Sequence, residues 1–188
     1  MITENSCDER ILNSLRTRLA VECGIRQVDI STINPKKIRH LNFTMSNFDL
    51  VYASQSIYGR DLLIEEKPNW KPEEMPLKEG VVPLFLFLSA LIQSYPGERN
   101  LNENQIFWSY QQLSKSILGW STAMLIFDGL YKPSYSERSI IFKEKFSKDK
   151  ELCKLVDLAT NFKLRPSLNP CTLFELNELW SLTASSHI

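Results

Sequence analysis

The chain has 188 residues, of which 43% are hydrophobic and 23% charged, and this composition is typical of a folded protein with a substantial core. Its 22 Lys and Arg residues equal its 22 Asp and Glu residues, which excludes a global positive field that would attract nucleic acid as the main partner. The longest apolar run, residues 81–92, is too short to cross a bilayer. The four cysteines have neither zinc-site nor redox-pair spacing, so we expect reduced thiols in a cytoplasmic protein.

Two helices are predicted near the start of the chain. Ser6 and Glu9 fit a capping box that opens a helix over residues 7–23, whose apolar residues recur at helical spacing. A second, short helix is predicted to begin at Asn34 and Pro35, since asparagine caps helices and proline suits their first turn.

Two short runs of apolar and β-branched residues, 25–33 and 48–53, predict strands. Each run carries an acidic residue, Asp29 in the first and Asp49 in the second. For Asp49 we expect a structural role, in which the carboxylate faces water or bonds a neighbouring N–H group.

The remainder of the chain predicts helices. A proline-rich, charged stretch at residues 65–79 predicts an extended linker or surface loop before them. Residues 81–94 are apolar nearly all round, which predicts the buried central helix. Further helices are predicted at four places: residues 102–128, from Ser134, residues 152–161, and from Thr172.

The order helix, Asp-bearing strand, short helix and strand, followed by Ile57-Tyr58-Gly59-Arg60-Asp61-Leu62, resembles part of the polymerase-β-like nucleotidyltransferase superfamily. In its small bacterial and archaeal members, a strand similar to Val28-Asp29-Ile30-Ser31 carries the third metal-binding carboxylate. The resemblance therefore implies that Asp29 is a ligand of Mg²⁺ and that an NTP is the substrate. The alternative for Asp29 is an aspartate at the end of a strand that faces solvent. It also implies an α+β fold, with a small incomplete nucleotidyltransferase sheet in residues 1–66 and a mainly α-helical bundle in residues 67–188.

The resemblance also suggests nucleotide-binding residues in the helical part. Lys115 would meet the nucleotide phosphates, as a basic residue of this domain does in the family. Tyr131, with Tyr135 and Arg138, surrounds a loop–helix junction where N–H groups at the start of a helix suit an anion. A solvated lysine and ordinary helix capping by Ser134 are the alternative interpretations, and both stay open.

The motif that defines the family is missing. Its members need a Gly-Ser turn for the triphosphate and two aspartates one residue apart, which share two Mg²⁺ ions with the third aspartate. The chain contains no Asp-x-Asp sequence. It is therefore expected to be either a piece of a longer enzyme or a remnant that has lost catalysis, with little or no transferase activity by itself.

The second hypothesis is a non-catalytic helical interaction or dimerisation protein. An incomplete sheet would leave an open edge and an uncovered apolar face, and both favour pairing with another chain. A second copy of the chain or a different protein is then the expected partner, and no membrane is expected.

Overall fold

The computed structural model describes residues 8–24, 28–30, 32–56, 61–97, 100–167 and 170–185. In these residues the α-helices are α1 (Glu9–Cys23), α2 (Met45–Ala53), α3 (Leu62–Glu66), α4 (Lys78–Ser94), α5 (Glu103–Phe127), α6 (Tyr135–Lys145), α7 (Lys150–Leu164) and α8 (Leu173–Ser185). Two 3-10 helices, Pro35–His40 and Pro72–Glu74, lie between them. No helix in the described ranges combines the length and apolarity of a membrane span.

The predicted α+β fold is wrong, because the described residues contain helices and no sheet. In the first predicted strand, residues 28–30 have no regular structure and Ile33 forms only an isolated β-bridge. The second predicted strand, residues 48–53, lies in α2 instead. Parts of the predicted pattern, residues 25–27, 31 and 57–60, lie outside the described residues.

The helix α2 forms because both its start and its apolar spacing suit a helix. The hydroxyl of Thr44 accepts a hydrogen bond from the backbone N–H of Asn47 at 3.2 Å, as an N-cap does. Phe48 and Val51 are three residues apart, and both are buried. A helix directs residues at this spacing to one face, whereas a strand would direct them to opposite faces.

The chain divides into two compact units. The first, called here the N-terminal unit, comprises Met1–Asn42 and Ser54–Asn69, and the second, the helical unit, comprises Phe43–Ala53 and Trp70–Ile188. The helix α2 therefore belongs to the helical unit. The predicted boundary between residues 66 and 67 stays a prediction.

In the N-terminal unit, α1 has a cap at each end. Asp8 accepts a hydrogen bond from a backbone N–H of the first turn, and Gly24 ends the helix in the left-handed region at φ 65°. The helix predicted over residues 7–23 is confirmed from Glu9 onward, while Ser6 lies outside the described residues. The predicted short second helix is also confirmed, as the 3-10 helix that begins at Pro35.

The helical unit is built around α5, which is buried along most of its length and contacts α4, α6, α7 and α8. The prediction that residues 81–94 form the buried central helix is wrong, because α4 buries only one face. The two helices approach closely at Gly119, where a Cβ atom would lie 2.9 Å from the carbonyl oxygen of Pro83. The helix α4 also contacts α8, where the indole N–H of Trp180 donates to the carbonyl of Leu91 at 3.0 Å.

The second half of the proline-rich stretch is packed rather than solvated. Trp70 stacks on Phe43 with ring centres 4.8 Å apart and an interplanar angle of 2°. Met75 is buried in an apolar cluster that also contains Ile126 and Tyr131. These side chains attach the stretch to the helical unit, although its prolines and charges are typical of a linker.

Candidate functional site

The predicted metal ligand Asp29 is exposed in the irregular segment 28–30 of the N-terminal unit. A magnesium ion needs several oxygen ligands, and two ions need more than one carboxylate. Within the described ranges, no group of three or more His, Cys, Asp or Glu side chains lies together as a metal would require. The described residues therefore do not assemble a two-magnesium site, and we derive no catalytic step through Mg²⁺ or an NTP.

The two predicted nucleotide-binding residues, Lys115 and Tyr131, lie far apart. Lys115 is exposed on α5, whereas Tyr131 follows the end of that helix and is fully buried. Between Lys115 and Phe127, the last residue of α5, the helix rises by about 18 Å. The structure therefore does not bring Lys115 and Tyr131 into one site.

The hydroxyl of Tyr131 is used inside the helical unit, where it donates a hydrogen bond to Oδ1 of Asp49 at 2.8 Å. Burial raises the pKa of Asp49, and the hydrogen bond from Tyr131 and the positive charge of Arg138 offset only part of this rise. The guanidinium of Arg138 donates to the hydroxyl of Thr122 at 3.0 Å and to the carbonyl of Pro133 at 3.1 Å. The three charged and phenolic groups thus join α2, α5 and α6, and they serve packing.

The junction at the start of α6 follows the capping alternative. Ser134 accepts a hydrogen bond from the backbone N–H of Glu137, at 3.5 Å. The guanidinium of Arg138 lies 4.1 Å from the ring centre of Tyr135, as in a cation–π contact. Sequence reasoning named these residues but missed the partner of Tyr131, because Asp49 is 82 residues away in the chain.

Large apolar side chains cover the solvent-facing side of α4. Four of them and the C-cap residue Tyr95 recur at alternating intervals of four and three residues and form one stripe, called here the outward face: Val81, Phe85, Leu88, Ile92 and Tyr95. Their exposed fractions run from 42% for Val81 to 75% for Ile92. Two more exposed apolar residues, Val82 and Leu86, flank the stripe.

The opposite face of α4 is buried and carries mostly smaller side chains. Gly80, Pro83, Ala90 and Ser94 lie there, together with Phe87. An ordinary surface helix turns its large apolar residues to the core and its polar residues to water. The helix α4 shows large apolar residues to water instead, and this inversion makes the outward face a candidate functional surface.

A groove of about 420 Å³ lies between α5, α7 and α8 in the helical unit. Its apolar wall includes Leu158 of α7 and Leu179 and Leu182 of α8. Tyr110 of α5 also lines the groove and is 7% exposed. Within the part of the chain that the structure describes, the Tyr110 hydroxyl has no hydrogen-bond partner.

Charged groups stand along the same groove: Lys154 on α7, and Glu175 and Glu178 on α8. Glu175 accepts hydrogen bonds from the backbone N–H and hydroxyl of Thr172 at 2.7 and 2.9 Å, and these bonds lower its pKa. Beside it, burial and then the charge of Glu175 raise the pKa of the Cys171 thiol to about 11. The thiol is therefore protonated at neutral pH, so the groove suits binding better than attack by a thiolate.

No sequence signal indicated the groove, because its lining residues come from three helices and from the segment before α8. The outward face of α4 did leave a signal, the four-three spacing of its large residues. That signal was hidden because residues on every side of the helix are apolar.

Comparisons with protein-family models, with curated proteins and with solved structures found no match to this chain.

Proposed function

We propose that the chain is a helical interaction protein that pairs with a second copy of itself through the outward face of α4. The observation that carries this function is the exposed stripe of large apolar side chains on a helix whose buried face has mostly smaller side chains. Apolar surface is costly in water, at roughly 25 cal/mol per Å². Covering this face therefore stabilises the protein. The proposed setting is the cytoplasm, since Cys23, Cys153 and Cys171 are free thiols.

The spacing of the outward face suits a partner helix. Apolar residues at alternating intervals of four and three form the seam of paired helices, where each side chain enters a hole between four residues of the other helix. Phe85, Leu88 and Ile92 supply the central side chains of such a seam. Val82 and Leu86 would widen the contact on one side.

The size of the face also suits a stable pair. Seven large apolar side chains on this side of α4 are between 42% and 75% exposed. Together they amount to several hundred Å², the same order as the roughly 800 Å² that each partner buries in a standard interface. A patch of this size is unusual on a protein that stays monomeric.

Charge favours an identical partner over a different protein. Lys78 and Glu79 lie in the first turn of α4, and no charged residue follows before its end at Ser94. A symmetric dimer sets the same patch against itself, so a charged face would oppose like charges. An uncharged face avoids that repulsion, whereas a different partner is usually selected by complementary charge.

A lipid surface fits the same face less well. Helices that lie on membranes carry several Lys or Arg residues on their polar side, which contact anionic headgroups. The helix α4 has a single basic residue, Lys78, at its very start. A protein partner is therefore the better match.

The test is the oligomeric state of the purified chain and of two glutamate variants, measured by light scattering and sedimentation over a range of concentrations. Phe85→Glu places a charge in the outward face. Phe174→Glu is the matched control, because Phe174 is 69% exposed on α8 and Phe85 is 70% exposed on α4. We expect a dimer for the native chain and for Phe174→Glu, and a folded monomer for Phe85→Glu.

Three results would overturn the proposal. The native chain could stay monomeric at all concentrations, or Phe174→Glu could dissociate the dimer as fully as Phe85→Glu. The third is binding of the native monomer to phosphatidylcholine–phosphatidylserine vesicles that Phe85→Glu abolishes, which would assign the face to lipid. Far-ultraviolet circular dichroism is the control that checks whether each variant keeps its helices.

The nucleotidyltransferase function and its cofactors, Mg²⁺ and an NTP, stay predictions from the sequence resemblance. Lys115 and Tyr131 do not share one site, and Asp29 is a single exposed carboxylate of the N-terminal unit, so the three residues lend no geometric support to that function.

A further inference from the structure

We infer that the groove between α5, α7 and α8 binds a small molecule that joins an apolar body to a protonated amine. The groove is separate from the proposed dimer surface, because its lining residues lie outside α4. Its volume of about 420 Å³ falls within the range of roughly 300–1,000 Å³ that is typical of small-molecule sites.

The wall of the groove specifies the apolar body of the ligand. Leu158, Leu179 and Leu182 present branched aliphatic side chains from two helices that converge on the groove. Pro170 adds apolar surface from the segment before α8. An aromatic or branched aliphatic group would bury its surface here and gain free energy in proportion to the area removed from water.

Tyr110 lines the groove, and its hydroxyl has no hydrogen-bond partner within the described residues. Tyr110 is 7% exposed, and burial raises the pKa of its hydroxyl, which is therefore neutral at physiological pH. The Tyr110 hydroxyl is not among the fully enclosed polar atoms of the described residues that lack a partner, so it reaches the open space of the groove and can form a hydrogen bond with a ligand there. A polar head group bound in the groove would supply the missing partner.

The charges of the groove specify a cationic head group. Glu175 and Glu178 are three residues apart on α8, and like charges at this spacing repel each other on a helix face. Lys154 lines the groove but forms no ion pair with either glutamate in the described structure. An ammonium group between the two carboxylates would relieve their repulsion. The capping bonds of Glu175 would not block this contact, because a carboxylate can accept several hydrogen bonds at once.

The test uses three probes that share one ring and differ in head group: 1-naphthylmethylamine, 1-naphthylmethanol and 1-naphthylacetate. Binding is measured by isothermal titration calorimetry with the native chain. We expect the amine to bind up to about fivefold more tightly than the alcohol, as befits a partly solvated ion pair, and the carboxylate to bind most weakly.

Two pairs of variants locate the site. Glu178→Gln should remove the preference for the amine while the alcohol binds as before. Glu144→Gln is the matched control, because Glu144 is exposed on α6 and does not line the groove. Leu182→Trp should fill the groove and weaken all three probes, and Tyr110→Phe should weaken the amine in case the tryptophan variant does not fold.

Several outcomes would overturn the inference. One is the absence of binding by all three probes. Others are equal affinities for the amine and the alcohol, or a preference for the carboxylate. Unchanged binding to both Tyr110→Phe and a folded Leu182→Trp would place the probes elsewhere. None of these results depends on the oligomeric state, because Phe85→Glu provides a monomeric chain in which the titration can be repeated.

Discussion

The helices α4 and α5 are both long and apolar, but they stand in opposite positions in the helical unit. The helix α5 is enclosed by α4, α6, α7 and α8, and residues on all its sides are buried. The helix α4 buries a face of mostly smaller residues, with Phe87 among them, and leaves Phe85 and Ile92 among its most exposed side chains. Apolar composition alone therefore does not decide which helix is central. The packing of the other helices decides it, because α4, α6, α7 and α8 all pack on α5, whereas α4 packs mainly on α5.

The contrast has a consequence for stability. Apolar side chains of α5 already contribute their burial to the folded monomer, whereas those on the outward face of α4 gain it only when something covers them. Substitutions in the two helices should therefore act on different equilibria. Those in α5 affect folding, and those on the outward face affect association.

The largest expected effect is the difference in unfolding free energy between two leucine-to-alanine variants. Leu125 of α5 is fully buried, so Leu125→Ala should lower the free energy of unfolding by about 2–5 kcal/mol through lost burial and a residual cavity. Leu88 of α4 is 51% exposed, and Leu88→Ala should change the stability of the monomer by about 0.5 kcal/mol or less. Urea denaturation at concentrations that keep the chain monomeric measures both. Similar losses from the two variants would contradict the contrast between the helices.

The next effect concerns the contact between the two helices. A methyl group at Gly119 would lie 2.9 Å from the backbone oxygen of Pro83, so Gly119→Ala should push α4 away at a cost of about 1–3 kcal/mol. Gly80 is the matched control on α4. There the methyl group would meet the ring of Phe127, which is 39% exposed and can turn aside. Gly80→Ala should therefore cost less than Gly119→Ala in thermal denaturation, and the reverse order would show that the helices do not meet at Gly119.

The smallest effect concerns the carboxyl group of Asp49 in α2, which accepts a hydrogen bond from Tyr131. The pKa of Asp49 is raised by burial, so the folded state holds this proton more tightly than the unfolded chain does. Its contribution to stability is therefore present at low pH. It is lost as pH rises from the ordinary carboxyl value, about 3.9, through the raised folded value. Asp49→Asn keeps an acceptor for Tyr131 and should remove this loss, which leaves the variant at least as stable as the native chain at pH 7.

The check is the difference in unfolding free energy between the native chain and Asp49→Asn, followed from pH 3 to pH 7. A native chain that gains stability relative to the variant as pH rises would give the sign opposite to the one expected. Tyr131→Phe is the companion variant. It removes the hydroxyl that donates to Asp49 at 2.8 Å and should be destabilised by about 1 kcal/mol at neutral pH.

Helix ends were the most predictable features of the chain, because capping depends on neighbours in sequence. Asn102 and Gln105 form a reciprocal capping box at the start of α5, and Thr172 and Glu175 form another before α8. Each pair lies within four residues, so no distant contact is needed to place it. Long helices with such signals were found close to their predicted positions.

The apolar run in α2 was assigned to the wrong kind of element. Phe48, Val51 and Tyr52 have side chains that suit a strand as well as a helix, and a short run does not show which period applies. Contacts with the rest of the helical unit favour the helix. One of them is the hydrogen bond that the backbone N–H of Trp70 donates to the hydroxyl of Tyr52 at 2.9 Å. Because residues 48–53 are helical, the sheet that was expected to carry Asp29 has no second strand there.

The amino-acid sequence by itself determined where most helices begin and end, and that residues 81–94 would be apolar nearly all round. Only the tertiary structure decided that α5 takes the centre, since both helices are apolar and the choice depends on which of them the other helices cover. It alone placed Asp49 against Tyr131 and assembled the groove around Tyr110 from three helices. Local capping is set within one helical turn, whereas burial and the joining of distant side chains depend on how whole helices pack.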